Sequence, residues 1–283
     1  MIRADLTGVA LGDGLDVAVL GALNVSPESF YAGSVALSRD RLLAAAEAMA
    51  ASGAALLDVG AMSTAPYLSA AISASEEADR LSSAVDLLVS KLGLPVSADT
   101  SRSIPARAAL DAGARVINDV TGLAGDSELA ALVAGRGASL IVMASERGGG
   151  RSGSPITLVA ALLDESLGIA RRAGIPAERI VVDPGIGFFR GQGIPWHEWD
   201  CRVLAGLPRL RTLGRPVCVG VSRKSFIGAL SGQGDPEDRL PGSLAATAAA
   251  VLGGAHLIRC HDVAETVQAV KIAQAIARAR ERS

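Results

Sequence analysis

The sequence predicts a single (β/α)8 barrel, the TIM-barrel architecture, formed by one domain over residues 1–283. Two observations predict it. Short segments rich in β-branched residues alternate with longer Ala- and Leu-rich segments along the whole chain, which is typical of a parallel sheet with right-handed crossovers. In addition, hydrophobic residues form 49% of the chain but aromatic residues only 3%. The core must therefore consist of small aliphatic side chains, which suit a sheet covered on both faces.

In chain order, the strand candidates are short runs rich in apolar and β-branched residues. They cover residues 17–23, 55–60, 96–99, 115–118, 139–143, 180–183, 217–221 and 255–259. The helix candidates between them cover residues 38–52, 75–92, 103–112, 126–136, 156–173, 201–213, 240–253 and 262–281. In the last helix, one face is expected to pack on the sheet. Its residues are Val263, Val267, Val270 and Ile276.

A closed barrel is favoured over an open doubly wound sheet. Eight strand–helix pairs in about 250 residues match the usual length of a closed barrel. An open dinucleotide-binding sheet carries G-x-G-x-x-G after its first strand, whereas residues 21–30 read GALNVSPESF. No linker or low-complexity segment divides the chain, and the glycine-rich stretch at 147–155 is predicted to be a mobile loop.

Composition excludes several functional classes. The net charge of −2 gives no reason to expect a nucleic acid as a partner. No apolar run approaches the roughly 20 residues that span a bilayer, and the N-terminus lacks the residue order of a signal peptide. Cys201, Cys218 and Cys260 form no CxxC pair, which is typical of reduced thiols. We therefore expect a soluble cytoplasmic protein without a membrane partner.

Polar side chains stand at the carboxyl ends of seven of the eight predicted strands, and this face carries the chemistry in such barrels. They are Asn24, Asp58, Asp99, Asn118 with Asp119, Asp183, Ser222 with Arg223 and Lys224, and Arg259 with His261. The fifth strand ends at Met143. Taken singly, each residue has an alternative role as a helix cap or in an Asx turn. Seven strand ends that meet on one rim favour a shared site.

The residue types on this rim suit a flat polar heterocycle beside an anion. Carboxylates, an amide and one cation offer acceptors and donors to such a ring. The candidates are Asp99, Asn118, Asp183 and Lys224. The first and last strands adjoin in a closed barrel, so Asn24, Arg259 and His261 together can hold an anion. Residue chemistry alone leaves the identity of the ring open.

Eight segments, one per strand–helix unit, resemble the dihydropteroate synthases. They are GALNVSPESF (21–30), DVGAMSTAP (58–66), SADTSR (97–102), INDVTGL (117–123), VVDPGIGF (181–188), SRKSFIG (222–228), GSLAATAAA (242–250) and RCHDVAET (259–266). The resemblance implies a transferase of folate biosynthesis that condenses 6-hydroxymethyl-7,8-dihydropterin diphosphate with p-aminobenzoate and releases diphosphate. It also implies Mg²⁺ as a cofactor, small-molecule substrates as partners, and a homodimer.

The resemblance also implies residue roles. Asp183 and Asn118 would bind the ring edge of the pterin, Lys224 would donate to its carbonyl, and Asp99 would lie near a ring N–H. The implied diphosphate ligands are Asn24, Arg259 and His261, with Mg²⁺ bridging Asn24 and phosphate oxygens. Ser225 matches the position that binds the arylamine carboxylate. Further substrate-binding residues are Thr64, Pro66 and Phe188. The catalytic set is Asp99, Lys224, Arg259 and His261.

The chain departs from the family pattern at two loops. The family's second loop reads S-T-R-P, whereas residues 63–66 read STAP, so an anion-binding arginine is replaced by Ala65. The family's M-H-M after the fifth strand is replaced by MASER at 143–147. Three explanations stand: Arg147, Arg151 or Arg102 replaces the cation; the acceptor is a different arylamine of methanopterin type; or the protein binds pterins without catalysing the condensation.

Two further interpretations remain at this stage. A methyltransferase that binds methyl-tetrahydrofolate would share the pterin pocket, but it has no need for Lys224 and Ser225 beside an anion site. The tryptophans of the segment WHEW at 196–199 either stack on a ligand or pack the loop after the sixth strand, and packing is preferred.

Overall fold

The computed structural model describes residues 1–25, 35–62, 72–146, 153–191 and 193–281. The strands in these ranges are β1 (Arg3–Asp5), β2 (Ala10–Gly12), β3 (Ala18–Asn24), β4 (Leu56–Gly60), β5 (Val96–Asp99), β6 (Val116–Asp119), β7 (Ser139–Met143), β8 (Ile180–Asp183), β9 (Cys218–Gly220) and β10 (Leu257–Cys260). The α-helices are α1 (Val35–Ala51), α2 (Ala74–Lys91), α3 (Ser103–Asp111), α4 (Leu129–Gly135), α5 (Pro155–Ala173), α6 (Trp196–Ala205), α7 (Ser225–Ser231), α8 (Leu240–Leu252) and α9 (Val263–Glu281). Short 3-10 helices cover Ala177–Arg179, Leu207–Leu213 and Pro236–Arg239.

Strands β3 to β10 form one parallel sheet in the order β8-β7-β6-β5-β4-β3-β10-β9. A bridge between Val182 and Val217 joins β8 to the chain just before β9. The sheet therefore closes on itself, and the predicted (β/α)8 barrel is confirmed. The eight predicted strands are all present, each within two residues of the predicted bounds.

The interior of the barrel has an apolar lower layer near the amino-terminal ends of the strands. Because side chains alternate between the two faces of a strand, every second residue points into the barrel. Seven inward residues from seven strands belong to one buried cluster, which is typical of a filled barrel. They are Leu20, Leu56, Val116, Ile141, Val181, Cys218 and Leu257.

An N-terminal hairpin, which the sequence did not predict, covers this end of the barrel. Strands β1 and β2 pair antiparallel, and Ala4, Leu6 and Leu11 belong to the cluster of the lower layer. Leu6 and Leu11 have no exposed surface. Each strand has only three residues, so its alternation of apolar and polar residues is too short to be recognised.

Asp13 fastens the hairpin to the barrel. Its Oδ2 accepts a hydrogen bond from Ile2 N at 2.9 Å, and its two carboxylate oxygens accept from Arg211 at 2.9 and 3.1 Å. His256 Nε2 lies 3.7 Å from Asp13 Oδ1, while His256 Nδ1 accepts from Val217 N at 3.1 Å. The hairpin therefore has a polar anchor as well as an apolar contact.

The outer helices depart from the prediction in three places. The helix expected at 201–213 is divided, because α6 ends at Ala205 and a 3-10 helix follows Gly206. A Cβ at Gly206 would lie 2.7 Å from Ile156 Cβ, so glycine is required for this close approach. Helix α7 was not predicted. In α9, Val263 and Val270 are buried as expected, but Ile276 is 45% exposed, so its assignment to the packed face was wrong.

Across the described ranges, no helix combines the length and the apolar character needed to cross a membrane.

Candidate active site

A polar layer lies above the apolar layer, toward the carboxyl ends of the strands. Asp58 lies two residues beyond Leu56 in β4 and therefore faces the same interior. Strand register places Asp99 of β5 opposite Asn118 of β6. The inward-pointing positions of the strands therefore carry apolar side chains in the lower layer, and carboxylates and an amide in the layer above it.

Arg259 joins the polar layer into one network. Its Nε donates to Asp58 Oδ2 at 2.6 Å, and its Nη2 donates to Asp99 Oδ2 at 2.9 Å. Asn118 Nδ2 donates to the same Asp58 oxygen at 3.0 Å. Among the described residues, neither Asp58 Oδ1 nor Asp99 Oδ1 has a hydrogen-bond partner, although both are buried. Two acceptors are therefore available to donors from a ligand.

The charges of this network leave it net negative when both carboxylates are ionised. Burial raises the pKa of Asp99 to about 7, against the lowering effect of Arg259 and with a further increase from Asp58. Although burial opposes its charge, Asp58 and Asp99 raise the pKa of Arg259 above its ordinary value. Two carboxylates thus share one permanent cation, an environment that favours ligand N–H donors or developing positive charge.

Asp183 lies at the end of β8, beside this network. It is 9% exposed, and its Oδ1 accepts a hydrogen bond from Gly185 N at 2.7 Å. Burial raises the pKa of Asp183, and the nearby charges of Lys224 and Arg259 oppose that increase. Each carboxylate oxygen can accept more than one hydrogen bond, so Asp183 keeps acceptor capacity for a ligand.

Lys224 extends over the Phe188 ring, with Nζ 4.3 Å from the ring centroid, a cation–π distance. Burial and then the charge of Arg259 lower the pKa of Lys224 to about 8, and Asp183 opposes this. The ammonium group is therefore mostly protonated at pH 7. The predicted residues Asp183, Phe188 and Lys224 are brought together.

His261 is neutral at pH 7, so the anion site is less cationic than its residue types suggested. Burial, and then Arg259 and Arg223, lower its pKa to about 4. Ser222 Oγ accepts from His261 N at 3.3 Å and lies 3.1 Å from His261 Nδ1. The serine hydroxyl can therefore donate to Nδ1, which leaves the ring hydrogen on Nε2 as a donor to a ligand.

Asn24 is exposed at the end of β3, next to Gly60 of β4. A Cβ at Gly60 would lie 3.5 Å from Asn24 Oδ1 and 3.6 Å from Asp99 Oδ2, so glycine leaves a space bordered by two oxygens. Oxygen ligands are those that Mg²⁺ prefers. In the part of the chain that the structure describes, no group of three or more His, Cys, Asp or Glu residues is placed to hold a metal ion. Among the described residues, Asn24 and Asp99 therefore offer a partial set of oxygen ligands.

Two polar strand-end residues are engaged outside the polar layer. Asp119 turns back on its own loop and accepts from Thr121 N at 2.9 Å and from Leu123 N at 2.5 Å, an Asx-type turn. Arg223 pairs with Asp262 through contacts of 2.6 and 3.0 Å. Neither side chain belongs to the polar layer.

Arg102, one of the three arginines considered as a replacement for the loop cation, is engaged elsewhere. Its Nη1 donates to Ile72 O at 2.9 Å, its Nη2 contacts Met62 Sδ at 3.5 Å, and its Nε lies 3.4 Å from Glu77 Oε2. It therefore contacts Met62 and Ile72, the described residues on either side of 63–71. The remaining loop predictions lie outside the described residues. They are Thr64, Ala65, Pro66, Arg147 and Arg151.

Arg190 is a site residue that the sequence reasoning missed. Its Nη2 donates to Ser225 Oγ at 2.8 Å, and its guanidinium lies 4.2 Å from the Trp196 ring centroid.

Asp58 was predicted to be a polar strand-end residue but was not assigned to the site. Its spacing of two residues from the inward Leu56 indicates that it also points into the barrel. The preferred packing role is confirmed for Trp199, which is 3% exposed and stacks on Phe189 at 5.1 Å.

Comparisons with known proteins agree with this geometry. A family model described as pterin binding enzyme matches residues 20–261. A dihydropteroate synthase of Synechocystis sp. is 36% identical over 265 residues, which cover 91% of this chain and 89% of the relative. The structure of Xanthomonas albilineans dihydropteroate synthase with 4-aminobenzoic acid is 36% identical, covers 97% of each chain, and has a TM-score of 0.87. The same enzyme in complex with 7,8-dihydropteroate gives a TM-score of 0.84 at 35% identity, over 97% of this chain and 98% of that one.

Proposed function

Because the chain belongs to the dihydropteroate synthase family of pterin-binding enzymes, we infer that it is itself a dihydropteroate synthase. It is a transferase that joins the methylene carbon of 6-hydroxymethyl-7,8-dihydropterin diphosphate to the amine of p-aminobenzoate and releases diphosphate. The observation that carries this assignment is the polar layer. Its buried Asp58 and Asp99 each keep one oxygen without a partner among the described residues, beside Asp183 and Lys224.

The pterin ring is proposed to lie on the polar layer. Its 2-amino and N3–H groups are donors, and they match the acceptor capacity of the Asp183 carboxylate. Asn118 and the unpartnered oxygen of Asp99 complete the contacts with the ring edge. Lys224 donates to the ring carbonyl, and the adjacent Phe188 ring limits the pocket. Each of these groups is held by the protein before the substrate arrives.

The reaction is proposed to begin with loss of diphosphate. The carbon–oxygen bond breaks, its electron pair leaves with diphosphate, and the methylene cation is delocalised into the pterin ring. The Asp58 carboxylate and the ionised form of Asp99 stabilise this positive charge electrostatically. The arylamine lone pair then forms the carbon–nitrogen bond, and the nitrogen loses a proton. An arylamine is unprotonated at pH 7, so the site needs no strong general base.

The departing diphosphate is proposed to bind Arg259, His261 and Asn24. Among the described residues, Arg259 Nη1 donates no hydrogen bond, and the Arg259 side chain is 22% exposed. His261 supplies a neutral N–H donor from Nε2. Asn24 would hold Mg²⁺ together with phosphate oxygens, since this ion usually keeps several waters and few protein ligands. When bound, Mg²⁺ neutralises charge on the leaving group.

The arylamine is proposed to lie between Phe188 and the outer rim of the barrel. Its carboxylate is directed to Ser225 and Arg190, which are already hydrogen-bonded to each other. On this proposal Arg190 replaces the loop arginine whose place is taken by Ala65. The two alternatives, a methanopterin-type arylamine and pterin binding without condensation, rest on the same Ala65 position.

A condensation assay tests the assignment. Purified protein is mixed with the pterin diphosphate, Mg²⁺ and p-aminobenzoate, and diphosphate and dihydropteroate are measured together. Equal amounts of the two products are expected. Pterin binding without product would contradict the synthase assignment with this acceptor, and substituted anilines would then separate a different acceptor from a lost activity.

The cellular setting and the assembly are also proposals. We propose a cytoplasmic protein, supported by the three cysteines, which are free thiols. We also propose a homodimer through the outer face of α8 and α9. Leu252, Ile272 and Ile276 support it, because these large apolar side chains are 36%, 65% and 45% exposed.

A further inference from the structure

Asp200 is a buried carboxylate for which the proposed reaction has no role so far. It lies in α6, is 1% exposed, and its Oδ1 accepts a hydrogen bond from Gly187 N at 2.8 Å. Its second oxygen, Oδ2, has no hydrogen-bond partner among the described residues. A buried ionisable group is costly unless its environment stabilises the charge, so Asp200 calls for a physical reason.

The hydrogen bond to Gly187 positions the turn beneath Lys224. Gly187 has φ +84, a backbone conformation that favours glycine, and a Cβ there would lie 3.0 Å from Lys224 Cδ. The lysine stem therefore packs directly on this turn. The next residue, Phe188, carries the ring over which the ammonium lies. A displacement of Gly187 would move both the support of the lysine and the ring beside it.

The two ends of this turn are each held by a carboxylate. At the barrel end, Asp183 accepts from Gly185 N, and at the outer end Asp200 accepts from Gly187 N. Asp183 also faces the pterin pocket, whereas Asp200 lies behind the turn. The pair restrains the loop after β8 at Gly185 and at Gly187.

The charges of Asp200 and Lys224 interact electrostatically. Asp200 faces the cations Arg190 and Lys224 and the imidazole of His197. Burial raises the pKa of Asp200 to about 6, so the carboxylate is ionised at pH 7.

The ammonium group of Lys224 also has a defined set of charged neighbours. The cation Arg259 disfavours its protonated form, and three carboxylates favour that form. They are Asp183, Asp200 and Asp99. Loss of the negative charge on Asp200 therefore lowers the pKa of Lys224 below about 8.

We propose that Asp200 is a positioning residue for the transfer reaction, because it fixes the Gly187–Phe188 turn through its hydrogen bond and places a negative charge behind the Lys224 ammonium. The inference rests on the proposed function of the site. Asp200 does not touch the substrate; it acts through Gly187 and Lys224.

Two variants separate the hydrogen bond from the charge. Asp200→Asn keeps an oxygen that accepts from Gly187 N but removes the charge, and Asp200→Ala removes both. For Asp200→Asn we expect kcat near pH 6.5 to stay within about threefold of the native value, with the alkaline limb of kcat/KM moved to lower pH. For Asp200→Ala we expect kcat to fall about 10- to 100-fold, the range that a displacement of about 1 Å can cause.

The matched control is Glu198→Gln in the same helix. Glu198 is 44% exposed on its side chain and pairs with Arg202, so its loss should leave the pH profile unchanged. An unshifted alkaline limb in Asp200→Asn, or equal losses in both Asp200 variants with matching losses of Tm, would overturn the inference. If the native protein shows no turnover, the proposed function fails instead. In that case, calorimetry measures the affinity of native protein and Asp200→Asn for the pterin diphosphate across pH. The same pH dependence of affinity in both proteins would overturn the positioning role.

Discussion

At the scale of single residues, the polar layer depends on Arg259. This one guanidinium compensates Asp58 and Asp99, which are 0% and 6% exposed. Removing one partner of a buried ion pair leaves an uncompensated charge, which costs more than the pair itself contributes. The site is therefore also a determinant of stability, and activity data on Arg259 variants must be read together with unfolding data.

Arg259→Ala is expected to lower the free energy of unfolding by about 3–5 kcal/mol, because Asp58 and Asp99 lose their common partner. Urea denaturation at pH 7 measures it. Arg278→Ala is the control, since Arg278 and its partner Asp16 are 49% and 83% exposed and such a pair contributes about 1 kcal/mol or less. Equal effects of the two substitutions would mean that the buried network does not stabilise the fold.

Asp183→Ala is expected to weaken pterin binding by about 100-fold or more, because it removes two charge-assisted hydrogen bonds of about 1.5–3 kcal/mol each. Isothermal titration calorimetry with the pterin diphosphate measures the change. Asp119→Asn serves as the contrast: Asp119 caps its own turn, so this variant should lose stability and keep affinity. Unchanged affinity in Asp183→Ala would place the pterin pocket elsewhere.

At the scale of elements, single polar residues help to hold irregular segments in place, in addition to the apolar packing of the hairpin. Arg102 contacts Met62 and Ile72, which lie more than nine residues apart in the sequence, and Asp13 joins the hairpin to Arg211. Regular helices and strands satisfy their own backbone groups, whereas irregular segments need such side-chain partners. The behaviour of these segments is therefore sensitive to substitution of one residue.

Asp13→Asn is expected to lower the free energy of unfolding at pH 7 by about 1 kcal/mol. The expected loss is small because the Asp13 side chain is 25% exposed and solvent weakens its ion pair with Arg211. Hydrogen bonds from Arg211 and then Ile2 hold the pKa of Asp13 well below its ordinary value. The pKa is lower in the folded state, so this contribution is present above the unfolded-state value of about 3.9 and is lost as the pH falls through the folded-state value.

Thermal unfolding of native protein and Asp13→Asn between pH 7 and pH 3 measures this contribution. The difference in Tm between the two should shrink as the solution is acidified below about pH 4. Asp16→Asn is the control, because Asp16 is 83% exposed. A difference in Tm that grows on acidification would contradict the assigned direction of the pKa shift.

At the scale of the whole molecule, the closed barrel leaves no free edge on its eight-stranded sheet, which favours association through the helical exterior. The face formed by α8 and α9 exposes Leu252, Ile272 and Ile276. The candidate active site lies at the carboxyl ends of the strands. On the proposed assembly, the dimer contact is made by the sides of two helices and leaves the barrel mouth accessible.

The double substitution Ile272→Asp and Ile276→Asp is expected to halve the mass measured by light scattering after gel filtration. The reason is that two unpaired carboxylates would have to be buried in the dimer contact. Ile104→Asp on α3 is the control, since Ile104 is 60% exposed on another face. A native protein that already elutes as a monomer would exclude the proposed dimer.

Much of the fold was predictable because its signals are local. The strands of the barrel are short runs whose lengths and alternation with helices can be read along the chain. Asp99 and Asp183 end two of them, and Lys224 lies in the loop after a third. The three-residue strands of the hairpin and the seven-residue helix α7 escaped prediction because periodicity cannot be established over so few residues. Ile276 was misassigned because, at 3.6 residues per turn, it lies about 120° around the helix from Val270 and therefore away from the buried face.

The sequence by itself determined the parallel barrel, the polar rim and the family, since each is encoded in short segments with a fixed order. Only the tertiary structure decided which charges meet. Arg259 pairs with carboxylates 201 and 160 residues away, and Arg190 reaches a serine 35 residues away. Such contacts depend on strand register and barrel closure, which no local pattern specifies. For the same reason, the polar layer, the engagement of Arg102 and the position of Asp200 emerged only from the folded chain.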